Sequence, residues 1–429
     1  MNDTILAVHG RRVWDSRGRP TVEVEVRLED GTLGRAIAPA GASTGRAEAV
    51  DRRDGGTAFG GHDVRCALRA VDGEIADHLR GRSAGDQAGV DAALVALDGT
   101  PNRERLGGNA LVATSMAVAH AAAAARGVPL WRYLAGDETQ SCLPLPEIQI
   151  FGGGAHAGRR VDVQDFMVIA VGADDYAQAL DWTAEVYRAA GLAMADAGLL
   201  QGVADEGGYW PAFGSNEQGL DFLVRAIERA GYRPGEEVAI SLDVAASDFG
   251  RDGRYRLARD GREVDADALA EMLLGWLARY PIVAVEDPLG EDDAEAFARF
   301  TQAAGPRVEV VADDLVCTGA RRIRECAAIG GGNTALIKPN QAGTLSETCA
   351  ALDAARGVGW ESIVSARSGE SEDVTVVHLA VGWGAKQLKV GSFARSERMA
   401  KWNEGLRIAE ALGQGGGRLP PRNAFPWGA

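Results

Sequence analysis

The sequence predicts an α/β chain in two parts: an α+β region, then repeated βα units that form a closed (β/α)8-type barrel or an open, doubly wound sheet. Three observations predict this. The first part reads as strands followed by helices, the order of an α+β domain. Beyond about Leu143, short β-branched runs alternate with helical segments, the order of a parallel sheet. The length, 429 residues, exceeds one small domain and favours the barrel.

The elements follow in order. Thr21–Arg27 alternates apolar and polar residues, as a half-buried strand does, and after the Asp30-Gly31 turn Leu33–Ala38 pairs back as a hairpin. From about Ala67 the pattern turns helical, and Ala110–Arg126 is a small-residue helix ended by Gly127 and Pro129. Pro144 and Pro146 mark a domain boundary. Strands are then expected at Val238–Leu242, Ile282–Val285, Val308–Val311, Ala335–Ile337 and Ile363–Ser365, with helices such as Asp265–Tyr280 and Leu345–Arg356 between them. Gly413–Ala429, rich in Gly and Pro, reads as a loose or surface-docked tail.

Composition bounds the function. With 46% hydrophobic and 25% charged residues the chain is a globular protein. No run of about 18 apolar residues is present, so no membrane span is expected. Met1–Gly10 lacks the basic and apolar regions of a signal peptide, so the expected compartment is the cytoplasm. The net charge of −16 argues against nucleic acid or an anionic membrane as partner. An acidic substrate would need metal ions or a local cluster of cations. Cys66, Cys142, Cys317, Cys326 and Cys349 form no CxxC or zinc pattern and are expected as reduced thiols.

Ionisable residues stand at the ends of successive apolar runs: Asp243, Glu286, Asp313, Lys338, Arg367 and Lys389, spaced by 22 to 43 residues. Each step is about one βα unit, so parallel strands would gather these side chains at one rim, where barrel active sites lie. A single acid at such a position commonly caps the next helix. Three in consecutive units, followed by three cations, favour a site. Asp243, Glu286 and Asp313 offer an all-oxygen cage for a hard cation such as Mg²⁺. A lysine beside such a metal is placed for proton abstraction, and the later Arg and Lys can hold phosphate or carboxylate. Gly41–Gly45, Glu206 within Gly202–Gly208, and His156 among glycines are weaker signals of close ligand approach.

Together these segments resemble enolase. The likeness runs from Val13-Trp-Asp-Ser-Arg-Gly-Arg-Pro-Thr-Val-Glu-Val-Glu25 to Arg395-Ser-Glu-Arg-Met-Ala-Lys401. In between come Gly41-Ala-Ser-Thr-Gly45, Ala204-Asp-Glu-Gly-Gly208, Ser241-Leu-Asp-Val-Ala-Ala-Ser247, Val285-Glu-Asp-Pro288, Ala312-Asp-Asp-Leu315, Lys338-Pro-Asn-Gln-Ala-Gly-Thr-Leu-Ser346 and Arg367-Ser-Gly-Glu370. The resemblance implies an N-terminal α+β cap over 1–140, a modified (β/α)8 TIM-type barrel over 141–412, and the tail over 413–429. It implies that Asp243, Glu286 and Asp313 hold a tightly bound Mg²⁺, and that Ser43 ligates a second Mg²⁺ arriving with substrate. Lys338 is then the base and Glu206 the acid that helps the hydroxyl leave, with the carboxylate of Asp165 beside it. Lys389 holds the substrate carboxylate, Arg367 and Ser368 the phosphate, and His156 and Gln164 lie against the substrate. The implied partners are a small phosphorylated or phosphonylated three-carbon acid and a second copy of the chain, as a homodimer or an assembly of dimers.

Several departures from the family pattern fall on these positions. Ala366 stands where the family has His, and Asp165 stands where it has Glu. Gly152-Gly153-Gly154 replaces Asn-Gly-Gly, and Pro39-Ala40-Gly41 replaces Pro-Ser-Gly. Conserved machinery beside an enlarged wall resembles carboxyphosphonoenolpyruvate synthases of phosphinate-antibiotic pathways, whose substrate carries a carboxylate on phosphorus. The favoured expectation is therefore enolase-type chemistry on a modified 2-phosphoglycerate. The alternatives are ordinary conversion of 2-phosphoglycerate to phosphoenolpyruvate, a catalytically impaired binding paralogue, and another reaction of the superfamily.

Overall fold

The structure, a computed structural model, describes residues 3–136, 142–259, 261–413 and 415–428. The boundary expected between 140 and 141 lies outside the described residues. The N-terminal part is a three-stranded antiparallel sheet in the order β1 (Ile5–Trp14), β2 (Pro20–Leu28), β3 (Leu33–Ile37), covered by helices. β2 and β3 form the expected hairpin, and Gly31 takes the left-handed turn conformation (φ +88°). β1 was not expected, because Gly10-Arg11-Arg12 interrupts its alternation.

The helix Gly108–Ala125 lies on this sheet. A Cβ on Gly34 of β3 would sit 2.2 Å from the Ala117 carbonyl oxygen, so the bare glycine lets the two backbones approach. By length and composition this helix could cross a membrane, but 83% of it is buried in the cap core. Its apolarity serves packing on every side.

The second part closes as a barrel, which decides between the two sheet arrangements. Its strands are β4 (Leu145–Gly152), β5 (Asp165–Ile169), β6 (Ala239–Asp243), β10 (Ile282–Glu286), β11 (Glu309–Ala312), β12 (Thr334–Ile337), β13 (Glu361–Ser365) and β14 (Gln387–Ser392). A small sheet of β7 (Gly250–Arg251), β8 (Arg254–Leu257) and β9 (Arg262–Asp265) stands apart from it. One correction to a purely parallel sheet follows: β5 is antiparallel to both β4 and β6. Residues 153–164 join β4 to β5 with a single 3₁₀ turn, Gly154–Ala157, and no crossover helix, so the chain doubles back. Helices form at Ala266–Arg279 and Leu345–Gly357, close to the expected spans. Asp265 and Thr344 cap them by accepting from the Ala268 and Glu347 amides.

The tail is docked, not loose. The Arg418 and Gly417 carbonyls accept from the Leu143 and Tyr176 amides at 2.8 Å. Phe425 is buried against Leu145, Ile169, Val171 and Ala239, all at the floor of the barrel. Trp427 stacks on Phe425 at 4.6 Å and donates its indole N–H to Glu309 at 2.9 Å. Burial pushes the Glu309 carboxyl up to about 8. The cysteines form no disulfide among the described residues.

If the tail closes the floor, Phe425→Ala should lower unfolding stability by about 3–5 kcal/mol, the usual range for an excavated aromatic. Urea denaturation measures this; a loss of about 0.5 kcal/mol or less, as at an open surface, would mean that the tail only rests there.

Candidate active site

Parallel strands bring their C-terminal ends to one rim. Asp243 ends β6, Glu286 ends β10, Asp313 follows β11, Lys338 follows β12, Arg367 lies just beyond β13, and Lys389 is within β14. β5 runs the other way, so its first residue is the one at this rim. Asp165 is in register with Asp243 on one side and Gly152 on the other. Reversal of one strand thus brings Gln164 and Asp165 to the same place as residues that end their strands. His156 arrives on the 3₁₀ turn after β4, Glu206 on the loop before Gly208, and Ser43 from the cap.

The rim is a buried network of opposite charges. Lys389 Nζ lies 2.8 Å from Asp243 Oδ2, 2.6 Å from Glu286 Oε2 and 3.6 Å from Asp165 Oδ2. Burial works against its ammonium, yet Asp243 and Glu286 outweigh burial and hold Lys389 well above the ordinary lysine range. Burial, then the charge of Asp243, raises Glu286 well above the carboxylate range despite Lys389. Gln164 donates to Asp243 Oδ2 at 3.0 Å. Lys338 is ion-paired with Asp313, whose charge overcomes burial and raises the lysine. Arg367 donates to Glu48 at 2.9 Å and to the Ser43 carbonyl at 2.8 Å, tying the cap to the barrel.

The acid end of the site is a second cluster. His156 Nδ1 lies 3.0 Å from Asp165 Oδ1, and Nε2 lies 3.7 Å from Glu206 Oε1. Burial opposes the imidazolium, but Glu206 and Asp165 raise His156 to about 9. Burial would raise Asp165, but His156 draws it down to about 2.

Thirteen residues were expected at the site. Ser43, His156, Gln164, Asp165, Glu206, Asp243, Lys338, Ala366, Arg367, Ser368 and Lys389 line one cavity of about 20 Å³. Glu286 and Asp313 join it through Lys389 and Lys338. Ala366 is buried in the wall, 7% exposed, next to Arg367 and Ser368. A larger cavity of about 450 Å³ adjoins across Gly154 and Ala155, but none of the thirteen side chains lines it.

The donor set fits a hard cation. Glu286 Oε1, Asp165 Oδ2 and Gln164 Oε1 are buried acceptors with no hydrogen-bond partner, and carboxylates are crowded around them. These buried acidic groups are able to hold a metal. Among the described residues, two trios bring ligand atoms within 4.8 Å of one another: His156, Asp165 and Glu206, and Asp287, Asp313 and Asp314. Asp287 is already committed, since its two oxygens accept from the Asp313 and Asp314 amides at 2.9 Å. Asp243 and Glu286 meet instead on Lys389.

Sequence reasoning missed Glu48 and Gln149. Glu48 has no signal of its own beyond lying three residues after the Gly41–Gly45 loop. Gln149 had one: Glu147 and Gln149 alternate with apolar residues in Leu-Pro-Glu-Ile-Gln-Ile, which points polar side chains into the barrel. Gln341, within the segment begun by Lys338, was not assigned a part; it donates to Asp313 at 2.8 Å and to Glu48 at 3.1 Å.

A capped barrel with a charged C-terminal rim defines a barrel enzyme. Residues 5–134 match the family model of the enolase N-terminal domain, and residues 140–418 match that of the enolase C-terminal TIM barrel domain. The chain belongs to the enolase family, a family of lyase-type enzymes.

The His156–Asp165 pair has a pH signature. The His156 imidazole should titrate near pH 9 by NMR and fall well below that in Asp165→Asn. Because its folded pKa is raised, its contribution to stability is complete below the unfolded value of about 6.5 and is lost as pH rises toward 9. An imidazole titrating at or below about 6.5 would contradict this charge arrangement.

Proposed function

We propose that this protein is a Mg²⁺-dependent enolase-type lyase whose substrate is a 2-phosphoglycerate analogue with an enlarged head group on phosphorus, as for carboxyphosphonoenolpyruvate synthases. The observation that carries the substrate reading is Ala366. It lines the cavity beside Arg367 and Ser368, the pair assigned to the phosphorus group, and ends at a methyl. A short side chain there, where the family pattern has His, removes an imidazole's bulk from the wall beside that group.

Asp243, Glu286 and Asp313 would hold one Mg²⁺, and Ser43 would contribute to a second that arrives with substrate. Bound there, the metal supplies positive charge that makes the proton beside a carboxylate acidic enough for a side chain to remove. Lys389 binds the substrate carboxylate, and His156 and Gln164 orient the substrate. Lys338 takes the proton from C2. The electron pair of that C–H bond forms the C=C bond as the C3–O bond breaks. The departing hydroxyl takes a proton from Glu206 in its protonated, neutral form and leaves as water, with the charge of Asp165 holding His156 nearby. Lys338 accepts a proton only when neutral. Asp313 holds it as an ammonium, and a cation held by Asp313 would compete with Lys338 for that carboxylate.

The experiment follows the ultraviolet absorbance of the enolpyruvate product with Mg²⁺. It uses 2-phosphoglycerate and its phosphonoformyl analogue, beside a housekeeping enolase. Turnover of the analogue, with 2-phosphoglycerate slow, supports the reading. Turnover of 2-phosphoglycerate equal to the control makes this an ordinary enolase. Lys338→Ala should cut turnover by about 10³-fold or more with Mg²⁺ binding retained by calorimetry; substantial residual activity removes Lys338 as base. Ala366→His should raise activity on 2-phosphoglycerate, and no gain in a folded variant would detach Ala366 from specificity.

A further inference from the structure

Gln149 stands outside the cavity and bonds directly to Asp165 and to Gly208, two residues from Glu206. It is fully buried in β4. Its Oε1 accepts from the Gly208 amide at 2.8 Å. That bond fixes which way the amide points, so Nε2 faces Asp165 and donates to Oδ1. The same Asp165 oxygen meets His156 Nδ1 at 3.0 Å. The ring His156 → Glu206 → Gly208 → Gln149 → Asp165 → His156 is closed by the 3.7 Å approach of His156 to Glu206, two residues before Gly208.

The backbone is shaped around this amide. A Cβ on Gly208 would lie 2.4 Å from Gln149 Oε1, and one on Gly152 would lie 3.2 Å from it. Asp165 has a short side chain and is itself fully buried. The long glutamine side chain supplies the reach that the aspartate lacks. Its amide provides both the donor for Asp165 and the acceptor for Gly208 at one site.

We infer that Gln149 is a positioning residue that sets Asp165 and the Glu206 loop relative to His156. For its kinetic readout this rests on the proposed function. Gln149 does not line the cavity, so it acts through Asp165 and Glu206 and not on substrate.

The test moves one methylene across the hydrogen bond. Gln149→Asn shortens one partner and Asp165→Glu lengthens the other. Each alone should lower kcat at least about tenfold with little change in KM, since small misplacements are costly to chemistry. The double variant should be at least about threefold faster than the poorer single, because the longer Glu restores the contact at position 165 while the Gly208 bond stays lost. A double variant no better than the poorer single overturns the inference, because independent losses would add.

A second readout needs no substrate. In metal-free protein, Gln149→Met keeps the volume but removes both amide groups, and it should shift the His156 ring-nitrogen resonances. Unchanged resonances in a folded variant overturn the inference. If wild type turns over neither substrate while these resonances shift, the substrate reading fails and the positioning role stands.

Discussion

Everything at the rim depends on keeping buried charge neutralised. An ion taken out of water without a partner costs several kcal/mol, so each cation here sits against carboxylate. Lys389 lies between Asp243 and Glu286, Lys338 lies on Asp313, and Arg367 lies on Glu48. The carboxylates of Asp165 and Glu206 share the His156 ring. Acids still outnumber cations among these groups, and Glu286 and Asp165 each keep an oxygen with no donor. A site of this composition has capacity for more positive charge, which is what a divalent cation brings.

The barrel makes this crowding possible. Its strands end at one rim, and the apolar core beneath them resists rearrangement. The same constraint explains what could be read in the sequence. Asp243, Glu286, Asp313, Lys338, Arg367 and Lys389 were legible because each closes an apolar run about one βα unit after the last. The direction of β5 was not legible, since alternation and β-branching report a strand and not its partner's direction. Asp165 was therefore known from motif likeness alone, and only the antiparallel register explains why the first residue of a strand shares a rim with the last residue of another. Composition left the tail either loose or docked, and did not show where it docks. Gly and Pro signalled irregular backbone, and the two aromatic residues that seal the floor, Phe425 and Trp427, show their purpose only once the barrel is closed.

The cap completes the site from above. Glu48 and the Ser43 carbonyl both bind the Arg367 guanidinium, and Gln341 bridges Glu48 to Asp313. The ends of two barrel strands and the small-residue cap loop are thus parts of one hydrogen-bonded unit. The cavity inside, about 20 Å³, has room for about one water. The loop's glycines let it pack closely: a Cβ on Gly41 would lie 1.9 Å from the Arg367 guanidinium and one on Gly45 2.5 Å from Cys317 Sγ.

The central claim is that Asp243, Glu286 and Asp313, and not the tighter trio of His156, Asp165 and Glu206, take the metal. Anomalous diffraction from crystals soaked in Mn²⁺ tests it most directly. The account predicts a peak bound by oxygens of Asp243, Glu286 and Asp313, with Lys389 Nζ moved off Asp243 and Glu286. A peak on His156, Asp165 and Glu206, with Lys389 still seated between its two carboxylates, would contradict it.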